Sequence, residues 1–315
     1  MEPRTIISVS GGKDSTAMYL LACEQVRDGF LQGFEPIFAD TGNELEQTLD
    51  YLRGLPEAVR GAGLPAPEIR WVRADFTRQI ATRRANLERV WGAAGIDPER
   101  IARVKALLEP TGNPFLDLCR LKGVFPSTRR RFCTQELKHL PIHVQVVAPY
   151  LDADIPVIHW QGVRADESPS RAKLDPIEEE MPDLWIYRPL LDWTAEDVFA
   201  FHRKYGIEPN PAYKQGMKRV GCAPCIHAGK AELLALAQRF PGEIKRIAEW
   251  ERLVKEVSKR GDATFFAADK TPDEGWCGIE EVVKWAGTER GGRKLSLLPF
   301  FEDATSCSSV YGLCE

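Results

Sequence analysis

Six consecutive residues near the start of this chain carry groups suited to gripping an anion: Ser10, Gly11, Gly12, Lys13, Asp14 and Ser15. A glycine turn between a strand and a helix aims backbone N–H groups and the positive helix end at one point. Gly11 and Gly12 let the backbone approach closely, Lys13 adds a point charge, and Ser10 and Ser15 offer hydroxyl donors. The spacing differs from the Walker loop, which places four residues between its first glycine and a Gly-Lys pair. The chemistry these groups favour is charge stabilisation of a polyphosphate held as a leaving group.

The second set of reactive side chains is sulfur. The chain has eight cysteines. Cys222-Ala223-Pro224-Cys225 follows Gly221 and precedes a helical pattern. Such a turn is redox-active or holds half a metal site. Cys133 lies upstream of this turn, and Cys277, Cys307 and Cys314 lie downstream of it. Cys23 falls on an apolar helix face and reads as core. The histidines His139, His143, His159, His202 and His227 form no ligand spacing, and Trp185, Trp193, Trp250, Trp276 and Trp285 read as core.

The elements that must position these groups alternate. Thr5 to Val9 is a β-branched run that ends at the glycine pair, and Asp14 to Val26 has helical spacing of its apolar residues. Pro36 to Ala39 is a second strand, ending at Asp40-Thr41-Gly42; Glu44 to Arg60 is a second helix, and Ile69 to Val72 a third strand. This alternation predicts an α/β fold with a doubly wound parallel sheet. Open sheets of that kind bind ligands at their carboxyl edge, where Asp40 falls. A mostly helical stretch over 76–125 reads as an insertion. Ile155 to Trp160 resumes the sheet and runs into Gly162, and Leu184 to Tyr187 is a further strand. Thr194 opens a helix with Asp197 three residues on, a capping pattern, and helices continue from Gly229 to Arg260 with a break at Pro241. The expected organisation is a nucleotide-binding domain over 1–220 and a cysteine-containing helical subdomain and tail over 221–315.

Composition sets outer bounds. With 315 residues, 43% hydrophobic and 28% charged, the chain buries a core without staples. The net charge of −4 excludes a general polycation, so a nucleic-acid partner needs a local patch. Arg129, Arg130 and Arg131 are the one cluster, either a solvated loop or a phosphate contact. No run of 18 apolar residues argues for a membrane span, and the start lacks a secretory pattern. The expected setting is cytoplasmic and reducing, in which cysteines serve as metal ligands or reactive thiols.

Ser10 to Ser15 resembles the loop of the PP-loop ATP pyrophosphatases, which release pyrophosphate from ATP. Asp40-Thr41-Gly42 and Gly162-Val163-Arg164-Ala165-Asp166-Glu167-Ser168, with Arg171 nearby, are similar to elements of the phosphoadenosine-phosphosulfate reductase-like group. The resemblance runs in motif order from about Thr5 to Cys225. It implies a Rossmann-like fold of the adenine nucleotide alpha hydrolase type, ATP with Mg2+, and contacts from Ser10, Gly11, Gly12, Lys13, Asp14, Ser15, Asp40, Thr41, Gly42, Gly162, Arg164 and Arg171. Cys133 with Lys138 and Pro141 resembles the Cys-Cys element of adenylylsulfate reductases, which with a later C-x-x-C binds a 4Fe-4S cluster; Thr134 stands where the second cysteine is expected. The DNA phosphorothioation sulfurtransferases are similar in this respect. The implied cluster ligands are Cys133, Cys222, Cys225 and Cys307, with Cys277 or Cys314 as alternatives to Cys307 and Zn2+ as the alternative metal. The implied activity is ATP-dependent adenylation for sulfur transfer, with Lys13 and Asp14 catalytic and a cysteine desulfurase or other sulfur donor, DNA or RNA, or an oligomer as partners. Sulfonucleotide reduction with Cys314 as nucleophile, and a non-catalytic nucleotide- or zinc-binding subunit, are the competing readings.

Overall fold

A computed structural model of the chain describes residues 2–266, 270–271, 275–276 and 278–288. Cys277, Cys307 and Cys314 lie outside the described residues, as does the side chain of Trp276. Six strands form one sheet in the order β3-β2-β1-β4-β6-β5. They are β1 (Arg4–Ser8), β2 (Glu35–Asp40), β3 (Arg70–Arg73), β4 (Val157–Trp160), β5 (Ile177–Met181) and β6 (Leu184–Tyr187). All neighbours pair in parallel except β5, which runs antiparallel along one edge. The sheet is therefore the mostly parallel, doubly wound kind that the β-branched runs predict. Strand β5 carries three consecutive glutamates and gives no hydrophobic alternation, so the sequence pattern does not reveal it.

The alternation of side chains along β1 builds two cores at once. Ile7 and Val9 point to one face, against α1 (Lys13–Arg27), α2 (Glu46–Gly61) and the later helix α9 (Ala195–Tyr205). Ile6 points to the other face, beside Ile142, Val146 and Val157. Both faces are covered, as a parallel sheet requires. The second cover is a helical stretch over residues 132–151. It consists of α6 (Phe132–Thr134), α7 (Leu140–Ile142) and α8 (Ala148–Leu151), with π turns at Gln135–His139 and His143–Val147 between them. Pro141 and Pro149 each remove an amide that an α turn needs, and the widened turns fall just ahead of them.

A third core joins segments far apart in the chain. Helices α3 (Thr77–Gly92), α4 (Pro98–Leu107) and α5 (Pro114–Lys122) pack with α10 (Lys230–Arg239), α11 (Pro241–Val257) and α12 (Ile279–Ala286). Phe115 stacks on Trp250 and on Phe265 at its centre. Glu251 is buried there and accepts from the amides of Phe265 and Ile279 and the hydroxyl of Thr264. A short hairpin, β7 (Lys270–Thr271) with β8 (Gly275–Trp276), completes the described elements. Helix α9 (Ala195–Tyr205) starts with the capping box expected at Thr194 and Asp197. Trp250 is core as expected, but Trp185 and Trp285 are 37% and 43% exposed. Trp185 occupies an outward position near the antiparallel sheet edge, and Trp285 is covered on one side by Lys230.

His159 of β4 meets the Ser8 hydroxyl at 2.8 Å, and burial pushes its imidazole down to about 4, with His139 adding to the effect. The unfolded chain, with an ordinary imidazole near 6.5, binds more protons between these values. Stability therefore falls as pH drops from about 6.5 toward about 4, by at most about 3 kcal/mol from this group. Urea denaturation across that range is expected to show the loss in the native protein and a shallower one in His159→Gln; equal slopes contradict the assignment.

Candidate functional site

The sheet order reverses between β1 and β4, and the loops leaving these two strands meet at the carboxyl edge. That is the crevice where doubly wound sheets bind ligands. After β1 the chain turns at Gly11, with φ of 75°, and enters α1 at Lys13. A Cβ at Gly11 would stand 3.2 Å from Thr48 and 3.3 Å from Leu52, so both conformation and space require glycine there. Gly162, after β4, packs on the backbone of Asp14 and Ser15, where an added Cβ would lie 3.4 Å away.

The charged residues of the two loops are interlocked. Lys13 Nζ donates to Asp14 Oδ2 at 2.7 Å, and Arg164 Nε donates to Asp14 Oδ1 at 2.6 Å. Arg164 also donates to Asp166 at 2.6 Å. Lys13 and Arg164 are only 5% and 2% exposed. Burial pulls the Lys13 ammonium below its usual range, while Asp14 opposes that shift. Arg171 pairs with Glu167, and burial with the nearby Arg219 and Arg164 guanidinium groups lowers its proton affinity.

The amides of the turn divide into two groups. Ser10 N–H donates to Ser15 Oγ, which in turn donates to the Gly12 carbonyl, so these serines brace the loop. Lys13 N–H donates to the Tyr213 hydroxyl at 3.0 Å. A phenol 200 residues away in the chain thus takes one donor of the turn. The N–H groups of Gly11, Gly12, Asp14 and Ser15 have no protein acceptor among the described residues. They remain available to an anion.

The loop after β2 ties the phosphate edge to the cysteines. Asp40 accepts from Gly42 N–H at 2.9 Å and faces Arg73, and Gly42 has φ of 75° and packs against Asn113. Thr41 Oγ donates to Glu44 at 2.6 Å and lies 3.5 Å from Cys222 Sγ. Asn43 is fully buried. Its carbonyl accepts from Ala223 N–H, its side-chain amide donates to Pro224 O, and Arg246 donates to its Oδ1 and to Ala223 O.

Cys133, Cys222 and Cys225 line one cavity of about 60 Å³, together with Lys138, Thr41, Asn43 and His227. The fold thus gathers the three cysteines that sequence reasoning grouped. Burial pushes the Cys222 thiol up to about 12 and raises Cys133 as well, while the Lys138 ammonium opposes both. Lys138 is itself held above its usual range, first by Cys222 and then by Glu44, Cys225 and Cys133. Three thiols around one cation suit a thiolate-bound metal, whose negative charge the ammonium offsets. Among the described residues, no set of three or more His, Cys, Asp or Glu side chains is already spaced around an ion. Cys23 and Cys119 are core residues, both fully buried. Glu44, Asn43, Tyr213, His202 and Arg246 were not legible as site residues, since each reaches the site from an ordinary helix or turn pattern.

Residues 4–228 match the phosphoadenosine phosphosulfate reductase domain family. An uncharacterized 37.8 kDa protein of Escherichia phage 186 is 47% identical over 333 residues, spanning 98% of this chain and 96% of its own length. The adenosine 5'-phosphosulfate reductase of Burkholderia cepacia is 32% identical over 117 residues, 36% of this chain and 43% of that protein. The solved phosphoadenylyl-sulfate reductase of Candida auris superposes with a TM-score of 0.40 at 16% identity, covering 71% of this chain and 83% of its own.

Replacing Asn43 by alanine takes the side-chain amide away from the Pro224 carbonyl and from Arg246. The expected cost is about 1–3 kcal/mol in urea denaturation. A loss under about 0.5 kcal/mol contradicts the role of Asn43 as the tie between the two loops.

Proposed function

The chain belongs to the phosphoadenosine phosphosulfate reductase domain family, and from that premise we propose that it is an ATP pyrophosphatase that adenylates an acceptor for sulfur transfer. The observation that carries this reading is the turn after β1, whose amides at Gly11, Gly12, Asp14 and Ser15 have no protein acceptor among the described residues and lie beside buried Lys13 and Arg164. An acceptor oxygen attacks the α phosphorus of ATP, the bond to the bridging oxygen breaks, and pyrophosphate leaves into these donors with its Mg2+. The protein's part is orientation and charge stabilisation. A sulfur nucleophile, such as a persulfide delivered by a cysteine desulfurase, then displaces AMP from the acceptor.

Cys133, Cys222 and Cys225 are the residues that would hold an iron–sulfur cluster, with Lys138 balancing its charge. When bound, such a cluster supplies sulfur- and electron-exchange chemistry beside the nucleotide. Zn2+ on the same thiolates is the alternative, and Cys307 or Cys314 is the proposed source of a fourth ligand. The acceptor class includes DNA, RNA and small molecules, and the proposed setting is cytoplasmic; among the described residues no helix is long and apolar enough to cross a membrane.

The partial likeness to adenosine 5'-phosphosulfate reductases favours one other reading, reduction of a sulfonucleotide with Cys314 as nucleophile. Sulfite release from such a nucleotide in the presence of thioredoxin tests it. For the principal reading, incubation with ATP, Mg2+ and an acceptor is expected to give AMP and pyrophosphate, with Lys13→Ala slower by on the order of 10²-fold. ADP and phosphate as products contradict it.

A further inference from the structure

His202 lies on α9 beneath the phosphate loop and is 1% exposed. Both ring nitrogens face main-chain carbonyls: Nε2 is 2.9 Å from Lys13 O, and Nδ1 is 3.0 Å from Ile207 O. A carbonyl oxygen only accepts, and a neutral imidazole carries a single N–H. In either neutral tautomer one of these contacts sets a nitrogen lone pair against an oxygen lone pair. Only the doubly protonated ring donates to both. Against this, burial lowers the proton affinity of His202 in the free protein. The geometry asks for a second proton that the buried, ligand-free ring holds weakly.

The charged neighbours are few. From α1, Asp14 favours the proton and Lys13 opposes it. From the segment after α9, the Tyr213 phenol accepts from the N–H of Lys13, the same residue whose carbonyl Nε2 touches. From α9 itself the Phe199 ring, uncharged, stands 6.4 Å away. A polyphosphate arriving at the Gly11–Ser15 turn brings negative charge to the end of α1, where Lys13 and Arg164 are already shared with Asp14 and Arg171 stands close to Asp14 and Arg164.

We propose that His202 is a positioning residue that takes up a proton when a polyphosphate settles on the loop. The proton comes from solvent and enters the ring; no bond of the nucleotide changes. The imidazolium then donates to both Lys13 O and Ile207 O, locks the first turn of α1 to the end of α9, and adds a positive charge under the anion. When the polyphosphate leaves, the proton leaves with it. This coupling rests on the reading that the loop binds ATP, and it adds that binding tightens as pH falls between the free and bound proton affinities of the ring.

Calorimetry with Mg2+ and α,β-methylene ATP, which resists cleavage, in two buffers of different ionisation enthalpy reads proton uptake directly. Near pH 6.5, the unperturbed imidazole value, uptake in the native protein is expected to exceed that in His202→Gln by an amount approaching one proton per nucleotide. Nitrogen NMR of the ring in the native protein is expected to show both nitrogens protonated in the complex, a readout that stands even if the variant folds poorly. Equal uptake in the two proteins, or a ring that keeps a single N–H in the complex, overturns the coupling alone. Absence of nucleotide binding to the native protein overturns the loop assignment and the coupling together.

Discussion

Two buried cations share one carboxylate at the mouth of the crevice, and the site is organised around that arrangement. Asp14 accepts from Lys13 on one oxygen and from Arg164 on the other. One cation comes from the loop after β1 and the other from the loop after β4, so the pair spans the point at which the strand order reverses. Buried charges are tolerated only when paired, and removing one partner strands the other. The same arrangement leaves two cations against one nearly buried carboxylate, since Asp166 is more exposed. A phosphate entering there meets cations already dehydrated and held in place, so little is spent on reorganisation when charge develops.

The second organising link is the short path from that mouth to the sulfur residues. Asn43 follows the β2 loop and holds the Cys222–Cys225 turn through Ala223 and Pro224, with Arg246 of α11 closing the network. Glu44 and Cys222 also form a bridge between the two segments. The thiols are therefore fixed relative to the nucleotide edge by buried hydrogen bonds, and such bonds keep their geometry because breaking them exposes unpaired polar groups to an apolar interior.

Much of this was legible in the sequence because it rests on local rules. The strand–glycine–helix unit, the capping pair at Thr194 and Asp197, and the break at Pro241 each follow from a few adjacent residues. Edge strand β5 was not legible, since its glutamates face solvent and carry no alternation. The π turns of residues 132–151 come from prolines whose effect depends on the surrounding helix. Of the site, the loop and the three grouped cysteines could be read directly, while Tyr213 and His202 could not. They sit 200 and 189 residues from the Lys13 atoms they touch, and no local pattern encodes such a contact. Trp185 and Trp285 show the converse error, large apolar side chains assigned inward that the fold leaves half-exposed.

In the proposed function the Gly11–Ser15 turn grips a polyphosphate through its unpaired amides and Lys13. Titration of inorganic pyrophosphate with Mg2+ into the native protein and into Lys13→Ala, followed by calorimetry, tests it without reference to any acceptor or metal. Saturable binding to the native protein, competitive with ATP, is expected, with weakening of about tenfold or more in the variant, as loss of a charge-assisted contact implies. No binding, or equal binding to both proteins, would contradict it.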